Sequence, residues 1–414
     1  MTDDATKAPS DATGFAALRH RDFTVFFLGK MLANAAYHMV MVALAYQLYD
    51  RTGDAMVIAF IGIAMMAPAF LFAPIVGYVC DACDRRLILI ACYLLMLAAA
   101  GLVFLFSVLE WPVSWTFYLI LLMLGTGRAF YNPANSSYVP NLVPPAVFPN
   151  AVTWNAMGTK GSQIAGPALG GGLYLLGPEV VYLTAAATFL FGAVTIWTIR
   201  ARPARNRAAR FALQDLMAGL FYVFDKKVLL GAVILDFLVI LMGGVQALFP
   251  IFAKDILDVG PAGAGVLRSA MAIGGLLAAL VVTRVGIRNA GKVMFAGDAV
   301  FGLTIVAFGL STEFWLSVAA VALMGAADMI SINVRHTLLQ IATPDAMRGR
   351  VAAVSALSGN FSNEMGGFRA GSFAAIMGPV AAAVAGGLGT LVIVAACWRA
   401  FPSLVKADRL DRAI

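Results

Sequence analysis

The chain has 414 residues, of which 61% are hydrophobic and only 12% charged, and its mean hydropathy is +0.86. Soluble domains carry about 25% charged residues, so this chain cannot cover a water-facing surface. Its formal net charge of +7 is explained by basic loops on one membrane face rather than by nucleic-acid binding. With three histidines in all and no nucleophile–base or metal-ligand cluster, an enzyme is set aside.

Apolar runs long enough to cross the ~30 Å hydrocarbon layer recur along the whole length. In lipid such runs must be helices, because every backbone polar group needs an internal partner. Residues 1–22 are polar and read as a cytoplasmic segment, with no cleavable signal peptide before the first span. Breaks in hydrophobicity then predict spans at 23–49, 55–79, 87–109, 113–138, 150–176 and 179–199. A second set follows at 228–253, 262–284, 290–310, 314–340, 347–376 and 379–400. Short turns such as Glu110-Trp111-Pro112, Gly177-Pro178-Glu179 and Met377-Gly378-Pro379 punctuate them.

Orientation follows from where bases sit. Arg19, Arg21, Arg85, Arg86, the run from Arg200 to Arg210, Lys226, Lys227, Arg284, Arg288, Lys292, Arg348, Arg350 and Arg399 fall in one set of loops. The alternate loops hold Asp50, Asp54, Glu110, Glu179, Asp255, Asp258 and Glu313, with only Arg51 and Lys254 as bases. The alternation holds at every crossing, which makes both termini cytoplasmic and requires an even count. Twelve fits.

Segment 200–227 divides a first six-helix bundle, 23–199, from a second, 228–400, and a cytoplasmic tail, 401–414, closes the chain. Within the divider, Leu213, Leu216, Met217, Leu220, Phe221 and Phe224 recur at helical spacing, as in an amphipathic helix lying in the cytoplasmic interface. An internal repeat supports duplication. At an offset of 200 residues Gly125 matches Gly325, Pro144 matches Pro344, Ser162 matches Ser362, and Gly166 and Gly171 match Gly366 and Gly371. Parallel halves place a substrate site between them near the midplane.

Two motifs carry mechanical meaning. The loop after the second span reads Gly77-Tyr-Val-Cys-Asp81-Ala-Cys-Asp84-Arg85-Arg86. Gly77 permits close helix approach, while Asp81, Arg85 and Arg86 can bridge neighbouring helix ends and release them during motion. Cys80 and Cys83 within it form a C-x-x-C without a second pair or a nearby histidine, so no metal or cofactor is expected. In the fifth span Gly166-Pro167-Ala-Leu-Gly170-Gly171 offers a small-residue packing face and a kink-permitting proline.

The loop resembles the G-x-x-x-D-x-x-G-R-[KR] signature of the major facilitator superfamily, with Asp84 in place of the second glycine. The fifth-span run resembles the core of that superfamily's antiporter signature, with Ser162 replacing the first glycine. Further stretches, including Arg128-Ala-Phe-Tyr-Asn-Pro133, Ala247-Leu-Phe-Pro250-Ile-Phe-Ala-Lys254-Asp255 and Ala342-Thr-Pro344-Asp-Ala-Met-Arg348, look like the bacterial exporter branch that includes enterobactin exporters and macrolide efflux proteins. The resemblance implies an all-α membrane protein of twelve transmembrane helices in two pseudo-symmetric six-helix bundles. It also implies a monomer of the bacterial inner membrane and secondary active export, commonly by proton antiport. No G-x-x-x-x-G-K-[ST] phosphate loop occurs.

Polar and ionisable residues inside a membrane are costly and face protein or water. Candidates are Asn34 and His38 in span 1, Arg128 in span 4, Lys160 in span 5, Asp236 in span 7, Arg268 in span 8, Asp298 in span 9, Asp328 and Arg335 in span 10, and Glu364 and Arg369 in span 11. In the resembled fold spans 1, 4, 7 and 10 line the cavity, which makes Asn34, His38, Arg128, Asp236 and Asp328 the expected substrate-cavity residues. Asp236 and Glu364 are the proton-coupling candidates, because coupling needs a desolvated carboxylate. Arg128 and Asp328 are related by the repeat and opposite in sign, so they can pair across the pseudo-twofold axis or stand as a fixed structural pair. Arg335 can snorkel to the cytoplasmic interface, and Asp298 calls for a local partner. Three functions compete: export of a small amphipathic, siderophore-, macrolide- or drug-like compound; lysophospholipid or lipid flipping on the same fold; and a non-transporting assembly protein, whose sign would be a filled cavity with its charges paired off.

Overall fold

The computed structural model describes residues 14–111, 115–199, 213–285 and 289–406. Among them every regular element is helical: α1 (Arg21–Thr52), α2 (Met56–Leu71), α3 (Ala73–Ala82), α4 (Arg85–Val108), α5 (Trp115–Tyr138), α6 (Phe148–Tyr174), α7 (Pro178–Thr198), α8 (Leu213–Asp225) and α9 (Lys227–Gly243). There follow α10 (Phe249–Ile251), α11 (Gly260–Val285), α12 (Ala290–Leu310), α13 (Phe314–Ile341), α14 (Asp345–Met377), α15 (Pro379–Ala400) and α16 (Pro402–Val405).

Eight helical stretches are long and apolar enough to cross a membrane unaided, running through α1, α4, α7, α9–α10, α11, α12, α13 and α15. The four other predicted spans correspond to α2–α3, α5, α6 and α14. α2 is short and stops at Phe72, whose N–H bonds the carbonyl of Pro68, and α3 resumes at once. α5, α6 and α14 are diluted by glycine, asparagine and serine, which lowers their hydropathy without shortening them. The twelve-helix count therefore fits.

The seventh span is broken rather than continuous. α9 ends at Gly243, a 3-10 turn covers Val245–Leu248, and a π-helical turn covers Phe252–Ile256. The paired glycines 243–244 and Pro250, which lacks an N–H, remove the i→i−4 ladder there. π-turns concentrate at functional positions.

Packing follows two sets. α1 packs on α6 and α7, and α4 on α5 and α7; α13 packs on α11 and α12, and α15 on α12 and α9. The sets meet along α6–α11 and α2–α14. The repeat is visible in these contacts. A Cβ on Gly166 would sit 2.6 Å from the Ala35 carbonyl of α1, and one on Gly366 would sit 2.7 Å from the Ile240 carbonyl of α9. Likewise a Cβ on Gly171 would meet Pro261 O of α11 at 2.4 Å, and one on Gly371 would meet Ala59 of α2 at 2.5 Å. Glycine is required at these crossings because backbone touches backbone.

Inside the first set, Gln47 is buried and satisfied: its Nε2 donates to Ser107 Oγ at 2.9 Å, and Tyr182 donates to its Oε1 at 2.7 Å. α8 lies against α14, with Val223 buried beside Leu229 and Val351, while Phe221 and Phe224 stay exposed. The arginine run 200–210 lies outside the described residues.

Candidate functional site

The halves are joined at the end that carries the acidic turns. Lys254 Nζ lies 2.6 Å from Asp50 Oδ1, and Tyr49 donates to Asp255. Ser269 Oγ donates to Ile164 O at 2.6 Å, and Val42, Tyr46, Ala253 and Ala264 form an apolar plug. Below this seal lies a cavity that is partly open to solvent. Tyr37 and Ile61 line it from one half, and Gln246, Pro250, Arg268 and Glu364 from the other. A chamber lined by both halves and bearing charge is the arrangement that a filled, charge-paired assembly protein would lack.

The lining of this cavity does not include Asn34, His38, Arg128, Asp236 or Asp328; the first half holds its donors beside Tyr37. Asn34 is 7% exposed; its Oδ1 accepts from Arg128 Nη1 at 3.1 Å, while its Nδ2 has no partner. The Arg128 guanidinium lies over the Tyr37 ring, 4.2 Å from its centroid. His38 stands edge-on to Tyr37, with Nε2 unpartnered and Cβ against Gly166. Lys30, which the sequence reading passes over, is buried one turn below Asn34 and bonds the side chains of Asn155 and Thr159. Its four-residue spacing from Asn34 was the available signal.

The second half contributes acids. Asp236 and Arg335 form a buried pair, Oδ1 to Nε 3.1 Å, without the alignment of a good hydrogen bond; Arg335 Nη1 donates to Ser355 Oγ at 2.8 Å. Arg335 therefore does not snorkel: Asp236 and Ser355 hold it inside. Asp298 is also buried; it bonds Ser331 and interacts electrostatically with Asp236 and Asp328, so a helix expected to be peripheral points a carboxylate inward. Asp236 and Asp298 each retain one oxygen without a partner. Arg128 is not brought to Asp328: Asn34 and Tyr37 hold it in its own half, whereas Asp328 interacts with Asp236, Arg335 and Lys160. Glu364 and Arg268 face the same chamber and interact electrostatically. Arg369 Nε donates to Leu241 O at 3.0 Å and ties α14 to α9.

The loop motif is a set of helix-end ties. Asp84 caps α4, accepting from Arg86 N at 2.9 Å, and Arg85 Nη1 donates to Ser137 O at 3.1 Å. Arg86 donates to the carbonyls of Ile196 and Trp197 and lies over the Trp197 ring. Gly77 lies within α3; the Asp81 side chain lies outside what the structure describes. In the fifth span Gly166 and Gly170 face α1, while Gly171 and the Pro167 carbonyl face α11. That run thus serves two interfaces at once. Among the described residues no cluster of three or more His, Cys, Asp or Glu is placed to hold a metal.

A family model described as "transmembrane secretion effector" matches residues 12–412. Enterobactin exporters of Shigella boydii serotype 4 (strain Sb227) and Escherichia coli O157:H7 (strain EC4115 / EHEC) are each 25% identical over 381 residues, covering 90% of both chains. Among solved structures, the nucleoside transporter NupG aligns with a TM-score of 0.71 at 14% identity, covering 94% of this chain and 100% of that one. A bacterial homologue of the iron transporter ferroportin in an inward-facing state gives 0.67 at 19% identity, covering 91% and 98%. A bacterial homologue of the human lysosomal transporter Spinster, inward-facing and occupied, gives 0.72 at 14%, covering 94% and 98%. At these identities the solved structures establish the fold alone.

Proposed function

The chain belongs to the transmembrane secretion effector family of the major facilitator superfamily, a multi-pass membrane transporter and not an enzyme, and from that premise we propose that it exports a small amphipathic compound by proton antiport. The compound is siderophore-like, in keeping with relatives named as enterobactin exporters. The protein sits in the bacterial inner membrane as a monomer, termini and basic loops cytoplasmic. Residues 23–199 and 228–400 rock against each other about the chamber, with 200–227 as the cytoplasmic tether.

One observation carries this reading: a charged chamber lies between two helix sets that are clasped at the acidic end. In the proposed orientation that end faces outward, so the chamber is loaded from the cytoplasm. Opening outward requires Tyr49, Asp50, Lys254 and Asp255 to part and the small-residue crossings at Gly171 and Gly371 to roll. Glu364 and Asp236 are the proton carriers, one in the chamber wall and one in the carboxylate group behind it. Gly77, Asp81, Arg85 and Arg86 gate the cytoplasmic side.

Transport into inverted membrane vesicles tests the reading, screened across siderophores, macrolides and dyes with and without an imposed pH gradient. Uptake that requires an acid interior, and is lost when the gradient is collapsed, is the expected result. Uptake of a compound at equal rates with and without the gradient would remove proton antiport, and no uptake of any amphipathic compound would remove export.

A further inference from the structure

Lys30, Asn34 and His38 recur every fourth residue of α1 and therefore share one helix face. Arg128 of α5 reaches that face through its bond to Asn34 Oδ1. Lys30 is 6% exposed, yet its partners Asn155 and Thr159 are neutral. Among the described residues Arg128 likewise contacts an amide oxygen and an aromatic face. Asn34, one helical turn from Lys30, is the residue that Arg128 bonds, so the two cations flank one amide. Asn34 Nδ2, in a side chain more than nine-tenths buried, and His38 Nε2 add unused nitrogens on the same face.

No carboxylate of this half can answer that charge. From α1 to α7 every Asp and Glu lies at a helix end or in a turn: Asp22, Asp50, Asp54, Asp81, Asp84, Glu110 and Glu179. Lys160, the remaining interior base of this half, interacts with Asp328 of the other half instead. A buried cation without a counter-ion is expensive. Such an arrangement persists where a ligand supplies the missing charge. An ammonium beside a guanidinium fork, flanked by an amide N–H, matches two oxygens sharing one negative charge.

We propose that Lys30, Asn34 and Arg128 form the receptor for an oxyanion, a carboxylate or phosphate group, carried by the transported molecule. This rests on the exporter reading and narrows its substrate to anionic amphiphiles. The apolar part of the molecule then extends past Tyr37 into the chamber, where Ile61 and Pro250 offer hydrocarbon.

The test uses the full chain in phosphatidylcholine nanodiscs, following thermal unfolding against sodium benzoate, inorganic phosphate and benzylammonium chloride at matched ionic strength. Benzoate or phosphate should raise the midpoint saturably and benzylammonium should not. Lys30→Met and Arg128→Met should each weaken the anion effect at least about tenfold, as loss of a charge-assisted bond implies, and Lys30→Arg should retain it. Without anion, Lys30→Met should unfold no lower than the parent; should that variant fail to fold, the cation is structural and the proposal falls. Arg128→Met gives the independent second reading of affinity. Discs containing phosphatidylglycerol separate sources: a pre-raised midpoint lost in Arg128→Met names a lipid headgroup as the oxyanion, with the site standing. An absent or non-saturable anion effect, an equal benzylammonium effect, or full retention in both Met variants overturns it. Binding needs no transport here, so vesicles that export only cations would end this inference and leave the exporter reading in place.

Discussion

Asp50 and Lys254 are joined by a 2.6 Å ion pair across the two halves, and the residues beside them, Tyr49 and Asp255, are joined by a hydrogen bond. Two consecutive residues at the end of α1 thus clasp two consecutive residues of the π-helical turn. Both members of the ion pair are partly exposed, so its contribution is discounted to roughly 1 kcal/mol or less.

The first prediction follows from that modest value. Lys254→Ala should raise the population open at the acidic end by about fivefold at most, the Boltzmann equivalent of roughly 1 kcal/mol. Adding Asp255→Asn should move it further, because the Tyr49 bond loses its charged acceptor. Distances between nitroxides at positions 52 and 258, by double electron–electron resonance, report the shift. An unchanged distance distribution in the double variant would show that the small-residue crossings alone hold the end shut.

Those crossings give the second prediction. A side chain on Gly171 meets the Pro261 carbonyl, and one on Gly265 meets the Pro167 carbonyl, each at 2.4 Å. Neither backbone can yield without separating α6 from α11. Gly171→Ala should therefore disfavour the clasped state by about 1–3 kcal/mol, the usual cost of overpacking, and cut export by roughly tenfold or more. Gly161→Ala is the matched control on the same helix, since nothing lies within 4 Å of its added carbon; export should stay within about twofold. Equal losses in the two variants would trace the effect to helix stability rather than to the crossing.

The spans themselves are legible because lipid leaves a run of apolar residues no alternative to helix. The repeat is legible because backbone crossings such as Gly171–Pro261 and Gly371–Ala59 admit no side chain, so duplicated glycines stay in register. The break at Phe72 and the π-turn at Phe252–Ile256 are not legible, since hydropathy runs on through both. Depth along a helix follows from 1.5 Å per residue, but which neighbour a side chain faces does not. For that reason Arg335 reads as a snorkelling end residue when it is the partner of Asp236. Arg128 and Asp328, equivalent by repeat and opposite in charge, are each held by closer groups. Lys30 is passed over because it lies nearer a basic helix end, although its spacing from Asn34 and His38 places it on their face.

The last prediction concerns the buried pair. Asp236 is 4% exposed and Arg335 5%, and the guanidinium has one further bond, to Ser355. Removing a single charge leaves the other stranded, at a cost of about 3–5 kcal/mol, whereas replacing both with apolar groups of similar volume is commonly neutral. Asp236→Asn should therefore lower the thermal unfolding midpoint in detergent, and Asp236→Leu with Arg335→Met should recover most of the loss. Proton-driven export separates stability from coupling. If Asp236 carries the proton, the double variant folds and binds but moves substrate at a rate independent of the pH gradient. If the double variant is stable and still fully proton-driven, the carrier is elsewhere. Glu364, alone in the chamber wall with Arg268, is then the group to replace.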